Sequence, residues 1–248
     1  MKLFARPATD QRIAPPEPLH DPLVSIIIPI YNELQLIQTV LERVRALPFR
    51  KQLVLVDDHS ADGTYELLLE KEAPRPDTVL ERHERNEGKG FAIRTGLRRV
   101  QGDIVLIQDA DLEYQPEELP RLIEPIVQGR ALVVFGSRFI GSITGMRLPN
   151  RVANHILALM ASVLYGQRIT DEATAYKVFR RDVIDAIELE CRRFEFCPEV
   201  TAKVLKLGVP IMELPVTFEA RTFEEGKKIG WRDFVTAVRI LLKNRWSR

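Results

Sequence analysis

The chain has 248 residues, 45% of them hydrophobic and 29% charged, with a formal net charge of +1. That length allows one large domain or two small ones around a sizeable core, and so small a charge gives no electrostatic case for nucleic acid as a partner. Cys191 and Cys197 are too few and too poorly spaced for a zinc site or a disulfide framework, which points to a reducing compartment.

The first 22 residues hold Pro7, Pro15, Pro16, Pro18 and Pro22 and few apolar residues, so they read as a flexible arm. No later stretch supplies the ~20 uninterrupted apolar residues of a membrane span. The expected division is an arm over 1–22, one domain over 23–230 and a C-terminal amphipathic helix over 231–248. A cytoplasmic chain is expected, with peripheral contact on the cytoplasmic membrane face left open.

Val24 to Ile30 is a nearly continuous apolar run and reads as a central strand. Leu34, Ile37, Leu41 and Val44 have helical spacing, predicting a helix over 34–47. A strand over 53–56 ends in Asp57-Asp58, and Ser60 or Asp62 is placed to cap the helix through Leu67, Leu68 and Leu69. A short strand over 77–80, a helix over 90–100, a strand over 104–107, a helix over 117–127 and a strand over 132–135 follow. The alternation predicts an α/β fold with a mainly parallel central sheet and helices on both faces. Beyond residue 150 the pattern changes. Long helices are expected over 151–165 and 233–246, a shorter one over 198–207, and differently paired strands at 178–179 and 211–218.

Three strand ends carry polar clusters: Pro29-Ile30-Tyr31-Asn32-Glu33, Asp57-Asp58-His59-Ser60 and Asp109-Ala110-Asp111-Leu112-Glu113. In a parallel sheet such ends converge on one rim, where α/β proteins bind ligands. Residues two apart on an extended segment project to one side, so Asp109 and Asp111 meet there. Two carboxylates at one point suit Mg²⁺ or Mn²⁺, completed by water and substrate phosphates. Each cluster alone is as readily a cap or a solvated turn; the three together point to a nucleotide site. Asn86-Glu87-Gly88-Lys89-Gly90 opens a helix, whose N-terminus favours anions, but it is not a P-loop. His20, His83 and His155 are isolated and read as surface or packing residues.

The stretches VSIIIPIYNE, LVLVDDHSADGT, NEGKGFAIRTG, GDIVLIQDADLEYQPEE, VVFGSRF, ITDEATAYKVFRRDV, FEFCPEVTAKVLKLG and ARTFEEGKKIGWRDF cover most of residues 24–240. In this ordered set the chain resembles the family 2 glycosyltransferases of the GT-A, Rossmann-like fold. Within them it is similar to the synthases that make dolichyl- or polyprenyl-phosphate sugars. The resemblance implies that Pro29, Tyr31, Glu33 and Asp57 bind the donor nucleoside, with Lys89 and Ala110 beside them. It implies Asp109 and Asp111 as metal ligands, with Glu113 as a third. Arg138 would lie near the donor and acceptor phosphates, and Arg221, Lys227 and Lys228 would form a basic loop over the diphosphate. His59, Ala173, Ala175 and Cys197 depart from the family's usual residues.

The implied reaction is an inverting displacement, with Asp111, Asp171 and Arg138 as the catalytic group. A phosphate acceptor, largely ionised at neutral pH, needs no general base, whereas a sugar hydroxyl does. Asp171 is open between such a base and a turn residue or partner of a nearby arginine. Arg147 and Arg151 flank the long helix as acceptor-phosphate candidates or as a solvated helix end. The partners implied are a nucleotide sugar of the UDP-glucose or GDP-mannose type and a polyprenyl phosphate, with room for a membrane-protein partner or a homodimer. The apolar surface of helix 151–165 and the basic amphipathic helix 233–246 are read either as membrane contacts or as packing faces. Three other readings stand against this one. They are a phosphohydrolase of the haloacid dehalogenase type, a transferase to a sugar hydroxyl, and a non-catalytic nucleotide-sugar-binding subunit.

Overall fold

The structure is a computed structural model that describes residues 16–220 and 231–247. Seven strands form one sheet: β1 (Val24–Ile30), β2 (Lys51–Asp57), β3 (Thr78–Arg82), β4 (Ile104–Ile107), β5 (Val133–Thr144), β6 (Lys177–Arg180) and β7 (Ile211–Glu219), in the order β3-β2-β1-β4-β6-β5-β7. The β1–β2, β2–β3, β1–β4 and β5–β7 pairs are parallel, and β6 is antiparallel to both β4 and β5. The mainly parallel α/β sheet expected from the sequence is therefore present.

The central strands are apolar on both faces because helices cover both. Ile26, Ile28, Leu53 and Leu55 belong to one core, with α1 (Ile37–Arg45) and α4 (Leu119–Val127). Ile27, Val54 and Val56 alternate to the other core, with α3 (Lys89–Leu97), α6 (Arg181–Asp185) and α7 (Phe196–Lys206). The approach of α3 to β1 is close. A Cβ at Gly96 would stand 2.6 Å from Ile27 Cγ2, so only glycine fits there.

Several boundaries differ from expectation. The helix predicted from Leu34 starts at Ile37, because Glu33–Leu36 forms a turn whose Glu33 carbonyl accepts from Ile37 N–H. Helix α2 (Thr64–Lys71) has Gly63 at its N-cap. Asp62 caps locally by accepting from Thr64 N–H, while Ser60 Oγ accepts from Asn32 N–H and ties β1 to β2. Strand β5 continues to Thr144, past the polar Ser137-Arg138, because β7 pairs with it on both sides of a bulge. Residues 16–22, expected in the arm, lie on the domain: Leu19 N–H donates to the Val127 carbonyl at 2.8 Å.

The C-terminal half adds a third small core. Helix α8 (Trp231–Trp246) lays Ala237 and Leu241 against Leu157 and Ala161 of α5 (Leu148–Tyr165) and Ala202 of α7. Tyr165 Oη donates to the Leu241 carbonyl at 2.8 Å. So one face of α8 is a packing face. Helix α5 packs through Leu157, Ala158 and Ala161, yet Leu148, Val152, Ile156, Leu159 and Val163 on its other side are exposed. Among the described residues no helix is long and apolar enough to cross a membrane.

Candidate active site

The three polar clusters meet as expected, because β2, β1 and β4 are neighbours and run the same way. Side chains stitch the first two together. Asn32 Oδ1 accepts from Ala61 N–H at 2.9 Å, and Thr64 Oγ1 accepts from Glu33 N–H at 3.1 Å. Asp57 is fully buried at the end of β2; its Oδ2 accepts from Ser60 N–H at 3.1 Å and faces Arg82 Nε at 3.5 Å. The Arg82 guanidinium lies 4.1 Å from the Tyr65 ring centre. Pro29, Tyr31, Glu33 and Asp57 lie at or just past the ends of β1 and β2, on this side of the rim.

The Asn86–Gly90 loop is held by Asp58, which accepts from Glu87 N–H at 2.9 Å and Gly88 N–H at 2.7 Å. Gly88 has φ +97°, a left-handed value that glycine adopts without strain. His83 is part of this support and not an isolated packing residue: its Nδ1 is 2.7 Å from Asp58 Oδ1 and its Nε2 is 3.0 Å from Thr95 Oγ1. No local sequence signal joins these residues, since Asp58, His83 and Thr95 come from three separate elements.

The loop delivers Lys89 to the end of β4. Lys89 Nζ stands 2.5 Å from Asp109 Oδ1. Burial works most strongly against the Lys89 charge, but the acidic groups around it, Asp109 foremost and Asp111 with it, together hold the ammonium pKa above its ordinary value. Asp109 Oδ1 is buried and accepts no well-aligned hydrogen bond, so its oxygen is balanced by charge alone. Asp111 Oδ1 accepts from Glu113 N–H at 3.1 Å, and Ala110 between them is buried in the core. The donors are hard carboxylate oxygens, which fit Mg²⁺ or Mn²⁺. Among the described residues no three Asp, Glu, His or Cys side chains converge on a metal-sized point. Glu113, expected as the third ligand, lines the same cavity as Asp109.

A cavity of about 410 Å³ opens beside this rim. Lys89, Asp109, Glu113 and Arg138 line its polar side, and Met146, Leu157, Phe194, Phe196, Trp231 and Phe234 its apolar side. Tyr114 and Phe218 also line it, meeting edge to face with ring centres 5.1 Å apart, and Tyr176 lies tilted against Tyr114 at 4.7 Å. None of the aromatic residues Phe194, Phe196, Trp231 and Phe234 was singled out from the sequence as a site residue. Their spacing marks helix packing, and only the docking of α5, α7 and α8 turns them to one space.

Arg138, on β5, is 6% exposed and pairs with Asp171. Arg138 Nε and Nη2 donate to Asp171 Oδ2 and Oδ1, each at 2.7 Å, and Arg138 N–H donates to Oδ2 at 2.9 Å. Asp171 is fully buried, with both oxygens taken, and does not reach the cavity wall. The sequence left open for Asp171 a general base or an arginine's partner, and in the structure it pairs with Arg138. Neighbouring Glu172 does line the cavity. Burial raises its pKa to about 7 against the pull of Lys177. Arg147 and Arg151 are exposed at the first turn of α5, between lining residues but not among them. Arg221, Lys227 and Lys228 fall outside the described residues.

The chain matches the Glycosyl transferase family 2 description over residues 25–188. It is 32% identical over 216 residues to an undecaprenyl-phosphate mannosyltransferase of Micrococcus luteus, an alignment covering 84% of this chain and 88% of that one. It is 28% identical to a UDP-N-acetylglucosamine–dolichyl-phosphate N-acetylglucosaminyltransferase of Methanococcus voltae, covering 79% and 85%. With a dolichol-phosphate mannosyltransferase of Pyrococcus furiosus it shares 29% identity over 90% of its length and only 64% of the relative's. Its backbone is similar to the glucosyl-3-phosphoglycerate synthase of Mycobacterium tuberculosis solved with Mn²⁺, UDP and phosphoglyceric acid. That likeness has TM-score 0.70 and 19% identity, over 92% of this chain and 80% of that one, and it bears on the GT-A fold alone.

Proposed function

The chain belongs to glycosyl transferase family 2, and on that premise we propose that it moves a hexose from a nucleotide sugar to a polyprenyl phosphate, with inversion and with a divalent cation. The carrying observation is one cavity with two unlike walls. Asp109 and Lys89 stand on one side, and a largely aromatic and aliphatic surface on the other. The first suits a cation-bound diphosphate and the second the isoprenoid end of a lipid acceptor.

Asp109 and Asp111 would hold the cation, which supplies positive charge for the departing nucleoside diphosphate. Lys89 is already the counter-charge of Asp109 and is placed to turn to a phosphate oxygen when the carboxylate takes another cation. Pro29, Tyr31, Glu33 and Asp57 would hold the nucleoside on the far side of the rim. Arg138 is fixed in orientation by Asp171 and bears on the cavity, a preorganised cation for phosphate. A phosphate monoester attacks without first losing a proton to the protein. The occupied Asp171 carboxylate supports that acceptor over a sugar hydroxyl, which would need a free base.

A lipid acceptor also needs an approach to its bilayer. The exposed row Leu148, Val152, Ile156, Leu159 and Val163 runs along α5, whose first turns also line the cavity. An apolar helix face of this kind rests at a lipid interface. The test of the whole reading is transfer of labelled sugar from UDP-glucose or GDP-mannose to polyprenyl phosphate in vesicles, with and without chelator. A cation-dependent lipid-linked product is expected. Release of phosphate from simple esters without a nucleotide, or binding without any transfer or donor hydrolysis, would overturn it.

A further inference from the structure

Glu172 is the one carboxylate among the described residues that has both oxygens buried and neither hydrogen-bonded. It is 0% exposed, and it stands at the wall of the cavity. Buried carboxylates are nearly always paired, and an unpaired one calls for a reason. Its neighbours do not supply one. Lys177 Nζ donates to the Glu172 backbone carbonyl at 2.7 Å and lies 3.7 Å from the Phe135 ring centre; its charge attracts the carboxylate but no hydrogen bond joins them. Asp171 next to it is fully engaged with Arg138. The small residues Ala173 and Ala175 line the same cavity.

A ligand that satisfies Glu172 must bring hydrogen-bond donors without negative charge. To the ionised carboxylate a phosphate brings like charge and no donor, and an isoprenoid tail has no donors. The hydroxyl groups of a sugar ring meet both conditions. Asp109 and Lys89, on the same cavity wall, would hold the diphosphate to which that ring is attached. Lys89, Asp109, Glu172 and Cys197 all line this one cavity.

We propose that Glu172 accepts hydrogen bonds from hydroxyl groups of the hexose being transferred and thereby selects which sugar the enzyme takes. The assignment rests on the nucleotide-sugar reading of the cavity. A site built to bond a hydroxyl discriminates strongly against an analogue lacking it.

The experiment is calorimetric titration of the full chain with Mn²⁺, using UDP, GDP, UDP-glucose and GDP-mannose. Wild type is compared with Glu172→Gln and Glu172→Ala. Both variants are expected to bind the preferred nucleoside diphosphate within about twofold of wild type. Binding of the intact sugar nucleotide should weaken at least about tenfold in Glu172→Ala. Equal weakening for both ligands, or for neither, overturns the assignment. Should the alanine variant not fold, deoxy analogues of the sugar nucleotide carry the test. At least one should bind wild type more weakly than the parent, and that difference should shrink in Glu172→Gln; an unchanged difference overturns the proposal. A wild-type chain that binds neither UDP nor GDP removes the donor reading itself, and this inference with it.

Discussion

Arg138 and Asp171 are joined by three hydrogen bonds inside the protein, two from the guanidinium and one from the Arg138 backbone N–H. The side chains are 7% and 0% exposed, so neither charge has water to fall back on. Asp171→Asn is expected to lower stability by about 3 kcal/mol, because it leaves the guanidinium buried without its counter-charge. Residual turnover should keep the wild-type pH profile, since no proton-accepting group has been removed. Thermal melts and a pH–rate series measure the two effects, and a lost acid limb in the profile would show Asp171 to be a base.

Asp109→Ala and Asp111→Ala should each reduce transfer at least about 100-fold, the scale on which removing charge stabilisation acts. Nucleoside diphosphate binding in these variants should no longer respond to Mg²⁺ or Mn²⁺. Titrations with and without chelator read this directly, and cation-stimulated binding that survives both substitutions would contradict the assignment.

Glu172 makes stability depend on pH in the direction opposite to most carboxylates. Its folded pKa, about 7, lies above the ordinary 4.5, so the folded state holds its proton more tightly than the unfolded state does. The associated stability is fully present below pH about 4.5 and is lost as pH rises through about 7. Its size is on the order of 3 kcal/mol. Denaturant midpoints at pH 5 and pH 8, compared between wild type and Glu172→Gln, should show the variant gaining relative stability at pH 8. A pH-independent difference would show that the carboxyl does not titrate in this window.

Leu159 and Val163 are 65% and 61% exposed, so replacing both with glutamate should leave the fold intact. Each buried apolar side chain at a lipid interface is worth about 1.5–3 kcal/mol. Transfer to acceptor carried in vesicles should therefore fall at least about tenfold, while transfer to a detergent-dispersed short-chain acceptor should not change. Equal activity on both acceptors would indicate that this face does not meet lipid.

The strand-end clusters were legible in the sequence because their physics is local. Buried parallel strands such as Val24–Ile30 and Ile104–Ile107 read as apolar runs, and polar residues after them must land on the rim. The cavity beside them was less so. Asp171 and Glu172 are adjacent and chemically alike, yet one is locked by Arg138 and the other faces the cavity. Nothing in a Thr-Asp-Glu-Ala string separates them, since the difference is made by β5 and β6 pairing. Likewise β5 runs on through Ser137 and Arg138 only because β7 lies beside it.

Strand β6 enters the sheet against the direction of β4 and β5. The segment leading into it, 170–176, therefore arrives at the rim that the other strands reach on leaving. That segment can change length or composition without disturbing the register of β1, β2 or β4. Changes there alter the rim while the strands that carry the Asp57 and Asp109 clusters keep their pairing.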